Sequence, residues 1–347
     1  GPYTPDEKWP ASLAQLQSNY FPQRTDIVVN QLATRGLWPA TEPPAFHING
    51  AEQYGGEIGA GDTLTLTAPA GDVYFTLDGS DPRLPGGGLS PDAVLYAGAV
   101  TLETSVNVKA RVRDNGQWSA LSDAVFLSPL LPSLLITEVM YNPHDEYGVP
   151  VDGLEFVELQ NVGSETADLT SVVLSDGVTY AFANGSVMSL DPGQFVIVAS
   201  DPTIFATVYD TSTMQIAGPF DGRLANGGER LELSNAFGQL IDELTFGDAG
   251  NWPERADGRG SSLELIDVAD DDDDPGNWRA SVLYGGSPGA AAVAPFTDVV
   301  VSEVLSHTDL PAKDAIELFN TTAGDIDISG WYLSDTDARY RKFRIPD

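Results

Sequence analysis

The chain writes one stretch twice. From Leu134 it reads LLITEVMYNP, LEFVELQN and ADLTSVVLSD; from Val299 it reads VVVSEVLSHT, DAIELFN and DIDISGWYLSD. Beyond Asn161 and Asn320 the copies align without a gap, Asp168 with Asp327, and Leu174, Ser175 and Asp176 with Leu333, Ser334 and Asp335. Such a duplication demands repeated folding units in place of one large core. In each copy the apolar residues alternate, Leu134, Ile136 and Met140 in the first and Val299, Val301 and Leu305 in the second. That is the period of a half-buried strand.

The order of these motifs, a Glu-containing strand, then (V/I)EL-x-N, then DL-S-x-x-LSD, resembles the lamin tail domain, an immunoglobulin-like sandwich. The first copy adds LDPGQFVIVAS from Leu190, GGERLELSNAFGQLIDELTF from Gly227, NWPERADGRGSSLELID from Asn251, and NWRAS with GGSPG from Asn277. The resemblance covers 134–289. The second copy, 298–347, reads as the start of another such domain and stops at Asp347 before its remaining strands.

Upstream, DTLTLTA places Leu64 and Leu66 on one face, DVYFTLD places Val73, Phe75 and Leu77, and SVNVKARVR places Val106, Val108, Ala110 and Val112. With the Asp78-Gly79-Ser80-Asp81-Pro82 turn between them, these strands resemble the small β-sandwich at the C-terminus of chitobiases and β-hexosaminidases, over 45–127. In that family it is an accessory module without catalytic residues. Residues 1–44 read as helical: Pro10 opens a short helix carrying Leu13 and Leu16, Phe21-Pro22 ends it, and a second helix closes at Gly36. This leader resembles the extreme end of spore-coat-type kinase domains; none of a kinase's phosphate-cradling or metal-binding residues can be matched to it. The simplest expectation is a leader packed on the next domain. Linkers fall at 128–133, where two prolines stiffen the chain, and at 290–297. The fold class is mainly β, with tandem immunoglobulin-like β-sandwiches and a short helical N-terminal segment. The 35 Gly and 24 Pro, about one residue in six, fit turn-rich β structure.

Charge narrows function. Seventeen Lys and Arg against 51 Asp and Glu give −34, a surface that repels phosphate backbones and argues against nucleic-acid partners. No cysteine is present, so disulfides and thiolate metal sites are excluded. No apolar run reaches the length of a membrane span. The three histidines, His47, His144 and His307, lie in no H-E-x-x-H pattern, and no nucleophile elbow or phosphate loop occurs. The chain therefore reads as non-catalytic.

Two groups of acids suggest cation binding. Alternation puts Glu138 and Glu303 on the apolar side with Ile136 and Val301, and puts Glu158 and Glu317 with Phe156 and Ala315. A bare carboxylate there would cost several kcal/mol, so each must be hydrogen-bonded, paired or metal-bound. Asp270, Asp272 and Asp274 belong to the densest run of negative charge, which Ca2+ would relieve. Counted as an EF-hand from Asp270, the run has Pro275 where Gly is needed and Ser281 where Glu is needed. The competing readings are glutamates accepting backbone N–H bonds at a sheet edge and a solvated acidic loop. Metal ligands would then be Asp270, Asp272, Asp274, Glu138 and Glu158, with Ca2+ as the cofactor. Trp118, Trp252, Trp278 and Trp331 offer rings for sugar stacking, Trp252 and Trp278 fitting core positions better.

The expected function is a structural or adhesive region of a large secreted or cell-surface bacterial protein, spacing domains and binding polysaccharide or another surface protein. The lamin-tail motifs keep bacterial company, with no coiled-coil rod before them. Two alternatives stay open: accessory carbohydrate-binding modules of a polysaccharide-active enzyme whose catalytic domain lies outside this chain, and a filament subunit self-assembled by strand completion.

Overall fold

The computed structural model describes residues 8–145, 148–309, 311, 313–336 and 339–347. It divides into two compact units, Gly1–Leu131 and Pro132–Asp347. It is mainly β, and none of its described helices is long and apolar enough to cross a membrane.

In the first unit the leader is helical from Lys8 to Thr34, and Phe21-Pro22 does not end it. The five residues Leu16–Tyr20 widen into a π turn, with Phe21 N–H donating to Leu16 O, immediately before Pro22. The wider turn absorbs the donor that proline lacks and the space its ring needs, so the helix continues. It stops where Gly36 adopts φ 66° and the N–H groups of Gly36 and Leu37 donate back to Ala33 and Leu32, a glycine-capped end. None of the residues from Leu16 to Thr34 is buried. Trp9, Leu13, Leu16 and Tyr20 recur at helical spacing, and all four are exposed.

Two sheets follow. One runs Ala51–Glu52, Ala45–Ile48, Asp62–Thr67, Val100–Leu102; the other runs Gly56–Glu57, Ser122–Leu127, Val106–Asp114, Asp72–Thr76, Val94–Leu95. Their alternating apolar residues meet in one core of Phe46, Leu64, Leu66, Val73, Phe75, Val108, Ala110, Val112 and Phe126. Leu77 leaves this face because the strand ends at Thr76, which takes the buried place. Off the core, Arg111 grips Asp81 with two bonds of 2.8 Å, so the Asp81 carboxyl sits below its ordinary pKa.

The second unit is organised by the strand Leu134–Met140. It lies inside a six-stranded sheet ordered Ile216–Ala217, Phe195–Ala199, Phe156–Asn161, Leu134–Met140, Leu263–Leu265, Trp278–Ala280. A five-stranded sheet, Asp221–Gly222, Val178–Ala181, Val172–Asp176, Gly228–Asn235, Leu240–Gly247, faces it. Leu134, Ile136, Val139, Val157, Leu159, Leu174, Leu233, Leu263 and Trp278 fill the space between them.

Alternation misplaces one side of this strand. Its register with Phe156–Asn161 shifts between Ile136 and Glu138, a β-bulge that inserts one residue. Past the bulge Val139 points into the core, and Met140 turns to the opposite face, where it packs with Phe156, Ile197, Ala199 and Phe205. Glu138 follows Met140. The sharing of a face by Glu138 with Ile136, and by Met140 with Leu134, is thereby overturned.

The duplication is visible in the backbone. Val299–Leu305 pairs with Ala315–Asn320 in the same register, with its own shift between Val301 and Glu303. Ser302 Oγ donates to Glu317 as Thr137 Oγ1 donates to Glu158, and Asn320 folds its loop as Asn161 does. No facing sheet covers this hairpin among the described residues, and Val301, Val304 and Phe319 are each more than half exposed.

Candidate functional site

Because of the bulge, three glutamates stand side by side on the outer face of the six-stranded sheet. Glu138 pairs across to Glu158 on one side and Glu264 on the other. Each is 1% exposed. They are covered by the segment that leaves the last strand, residues 285–292, and by 266–268.

The covering segment is held by the carboxylates. Glu138 Oε1 accepts from Ser287 N at 3.0 Å and from Ser262 Oγ at 2.5 Å. Glu158 accepts from Gly289 N at 2.6 Å and Thr137 Oγ1 at 2.7 Å. Glu264 accepts from Ser287 Oγ at 2.7 Å and faces Arg279 Nε at 3.4 Å. Glycine is required at the clasp: Gly286 has φ 85°, and a Cβ there would overlap Glu138 Oε1.

Three acids and one arginine do not balance. Burial raises the Glu138 carboxyl well above its ordinary range, and the neighbouring Glu158 charge raises it further. Burial likewise lifts Glu158, to about 7, against the lowering effect of its bonds from Gly289 and Thr137. Glu138 Oε2 is buried and without a hydrogen-bond partner. Protonation of Glu138, the most strongly raised of them, relieves the repulsion.

Glu138 and Glu158 thus accept backbone N–H bonds from their own domain, and Glu264 accepts from a side-chain hydroxyl. Among the described residues no three acidic, histidine or cysteine side chains come together as a cation-ligating group. In the acidic run, Asp274 accepts from Gly276 N, Asp271 from Asp273 N and Asp270 from Asp271 N, the local turns expected of a loop. Asp272 points elsewhere. Its carboxyl meets that of Asp242, which also accepts from Ile136 N at 2.7 Å, and burial first, then Asp272, pushes Asp242 up to about 8.

The two sheets built around the first Asn-anchored hairpin now have a counterpart. Residues 130–248 match the Lamin Tail Domain family. Strands Leu263–Leu265 and Trp278–Ala280, beyond that match, complete the same six-stranded sheet. Residues 63–125 match the family described as Fn3 associated. Neither match reaches the N-terminal helix. No curated protein matches the chain. Among solved structures, a DUF4876 family protein from Bacteroides thetaiotaomicron aligns over 65% of this chain and 92% of its own, at 11% identity and TM-score 0.29.

Glu264, Asp242, Ser287 and Gly289 all lie inside motifs quoted from the sequence, yet none of them is a site residue by sequence reasoning. Glu264 does share its setting with Glu158, an aliphatic residue before and Leu after. That signal is not selective, since Glu232 has the same flanks and turns to Arg230 instead.

Proposed function

We propose that this chain is a non-catalytic spacer within a larger secreted or cell-surface bacterial protein, and that the lamin-tail domain carries load between its neighbours. One observation supports the reading above others: the segment leaving the domain is bonded directly to the strand that begins it. Ser287 N reaches Glu138 across 149 residues of sequence, and Gly289 N reaches Glu158 across 131. Tension applied before Leu134 and after Gly289 would meet these bonds before the core. Each of the three buried glutamates accepts at least one hydrogen bond from its own domain.

Pulling the chain by its ends in an optical trap tests this. The lamin-tail domain is expected to open in one event, releasing roughly 50 nm for its 134–289 span. Early peeling of the 263–289 segment alone, releasing roughly 9 nm at lower force, would sink the load-bearing reading.

Calcium as a stiffener belongs to the same proposal. Thermal unfolding in EDTA and in millimolar CaCl2 decides it, because a ligand that binds only the folded state raises the midpoint. The reading requires a rise with Ca2+ beyond that given by NaCl of equal ionic strength. Equal midpoints remove calcium from it.

A further inference from the structure

We propose that a cleft in the second unit binds an acidic polysaccharide, the carboxylate of a uronic acid sitting at Arg255. The cleft, about 1110 Å3, is formed by the end of the Pro202–Val208 helix, the loop carrying Arg255, the turn before the glutamate clasp, and the first residues of the hairpin around Trp331. Tyr209, Tyr284, Trp331, Tyr332 and Tyr340 line it.

Arg255 is the reason an anion belongs there. In a chain of charge −34, this guanidinium has no carboxylate partner among the described residues, and its Nε is buried without a hydrogen bond. Among the described residues its electrostatic support is aromatic: the Tyr340 ring lies 4.7 Å away, with Tyr284 beside it. Burial accordingly lowers its pKa. A partly desolvated cation without a counterion is costly, and a carboxylate, which matches the guanidinium fork, removes the cost. A second guanidinium, Arg341, lies over Tyr284 at 4.7 Å and Tyr332 at 5.0 Å in the same cleft. The one acid of the lining, Asp335, is already bonded to Lys342. The local sign of charge is therefore opposite to that of the whole molecule, and it draws anions in.

The rings decide between anions. Ring faces pack against the C–H faces of sugar rings, and five aromatic side chains line this cleft. An acidic peptide would use the charge and leave most of this surface idle.

This proposal rests on the non-catalytic reading. The test is isothermal titration of the full chain with tetragalacturonate, a neutral chitotetraose and a polyglutamate peptide, with reducing ends assayed in parallel. Saturable binding of the galacturonate alone is expected, weakening with salt, with no new reducing ends. Arg255→Gln is expected to weaken it about tenfold or more while leaving the melting midpoint in place. Tyr332→Ala, at an exposed ring, should weaken it as well and serves if the arginine variant unfolds. No galacturonate binding, equal binding of the neutral sugar or of polyglutamate, or full binding by both variants overturns the site. New reducing ends would overturn the non-catalytic reading itself, whatever the binding result.

Discussion

Gly286→Ala is expected to lower the stability of the second unit by roughly 4 kcal/mol, or about 10 °C in midpoint for a unit of this size. Two costs add. The residue sits at φ 85°, where an L side chain costs on the order of 1–2 kcal/mol. The new methyl would also overlap Glu138 Oε1 and lie 2.8 Å from Ser262 Oγ, so the Ser287 to Gly289 segment must lift away. Lifting it strips Glu138 of its bond from Ser287 N and Glu158 of its bond from Gly289 N. Hydrogen bonds contribute about 0.5–1.5 kcal/mol each, and both carboxyl groups would stay under the sheet's cover with fewer donors. Gly238→Ala is the control, since Gly238 also has φ 78° but open space around it, and only about 1 kcal/mol should be lost. Urea unfolding of the two variants reads the difference. Equal losses would mean that the clasp contributes nothing and that only backbone conformation matters.

How much of this was legible follows from the range of each interaction. The duplicated motifs announced the paired hairpins, because Leu159, Asn161 and their counterparts Leu318 and Asn320 occupy equivalent places in a local strand pair. Alternation found the cores of both sandwiches for the same reason. It failed at Glu138, since a period of two presumes no inserted residue, and nothing in ITEVM marks the bulge. It also could not show that the acids of that face meet a backbone segment more than 130 residues away. Pro22 was read by its local rule, which the preceding π turn sets aside. The Arg255 cleft draws on four separated segments, and what singles out that arginine is that it has no carboxylate partner among the described residues, which no sequence pattern displays.

The second unit should lose stability as pH rises from about 5 to 8, the opposite of acid denaturation. Glu138, Glu158, Glu155 and Asp242 are all buried, and burial raises each of them, Glu155 and Glu158 to about 7 and Asp242 to about 8. A carboxyl whose folded pKa exceeds its unfolded value contributes fully below the unfolded value, near 4, and loses that contribution as pH rises through the folded one. Each group that stays protonated only in the fold costs about 1.4 kcal/mol per pH unit across that window. Carboxyls held low, such as Asp81 beside Arg111, act below their ordinary value of 3.8 and leave the window alone. Around Glu138 the facing charged groups are Glu158, Glu264 and Arg279, so one cation offsets three acids. Glu138→Gln keeps an acceptor for Ser287 and Ser262 but cannot ionise, and its amide nitrogen would stand where Oε2 lacks a partner, beside two carboxylates. The variant is therefore expected to match the wild type at pH 5 and exceed it at pH 8 by about 1–3 kcal/mol. Melting curves across this range are the measurement. A wild type that grows more stable toward pH 8 would show that the row is ionised in the fold, and that cations, rather than shared protons, hold its charge.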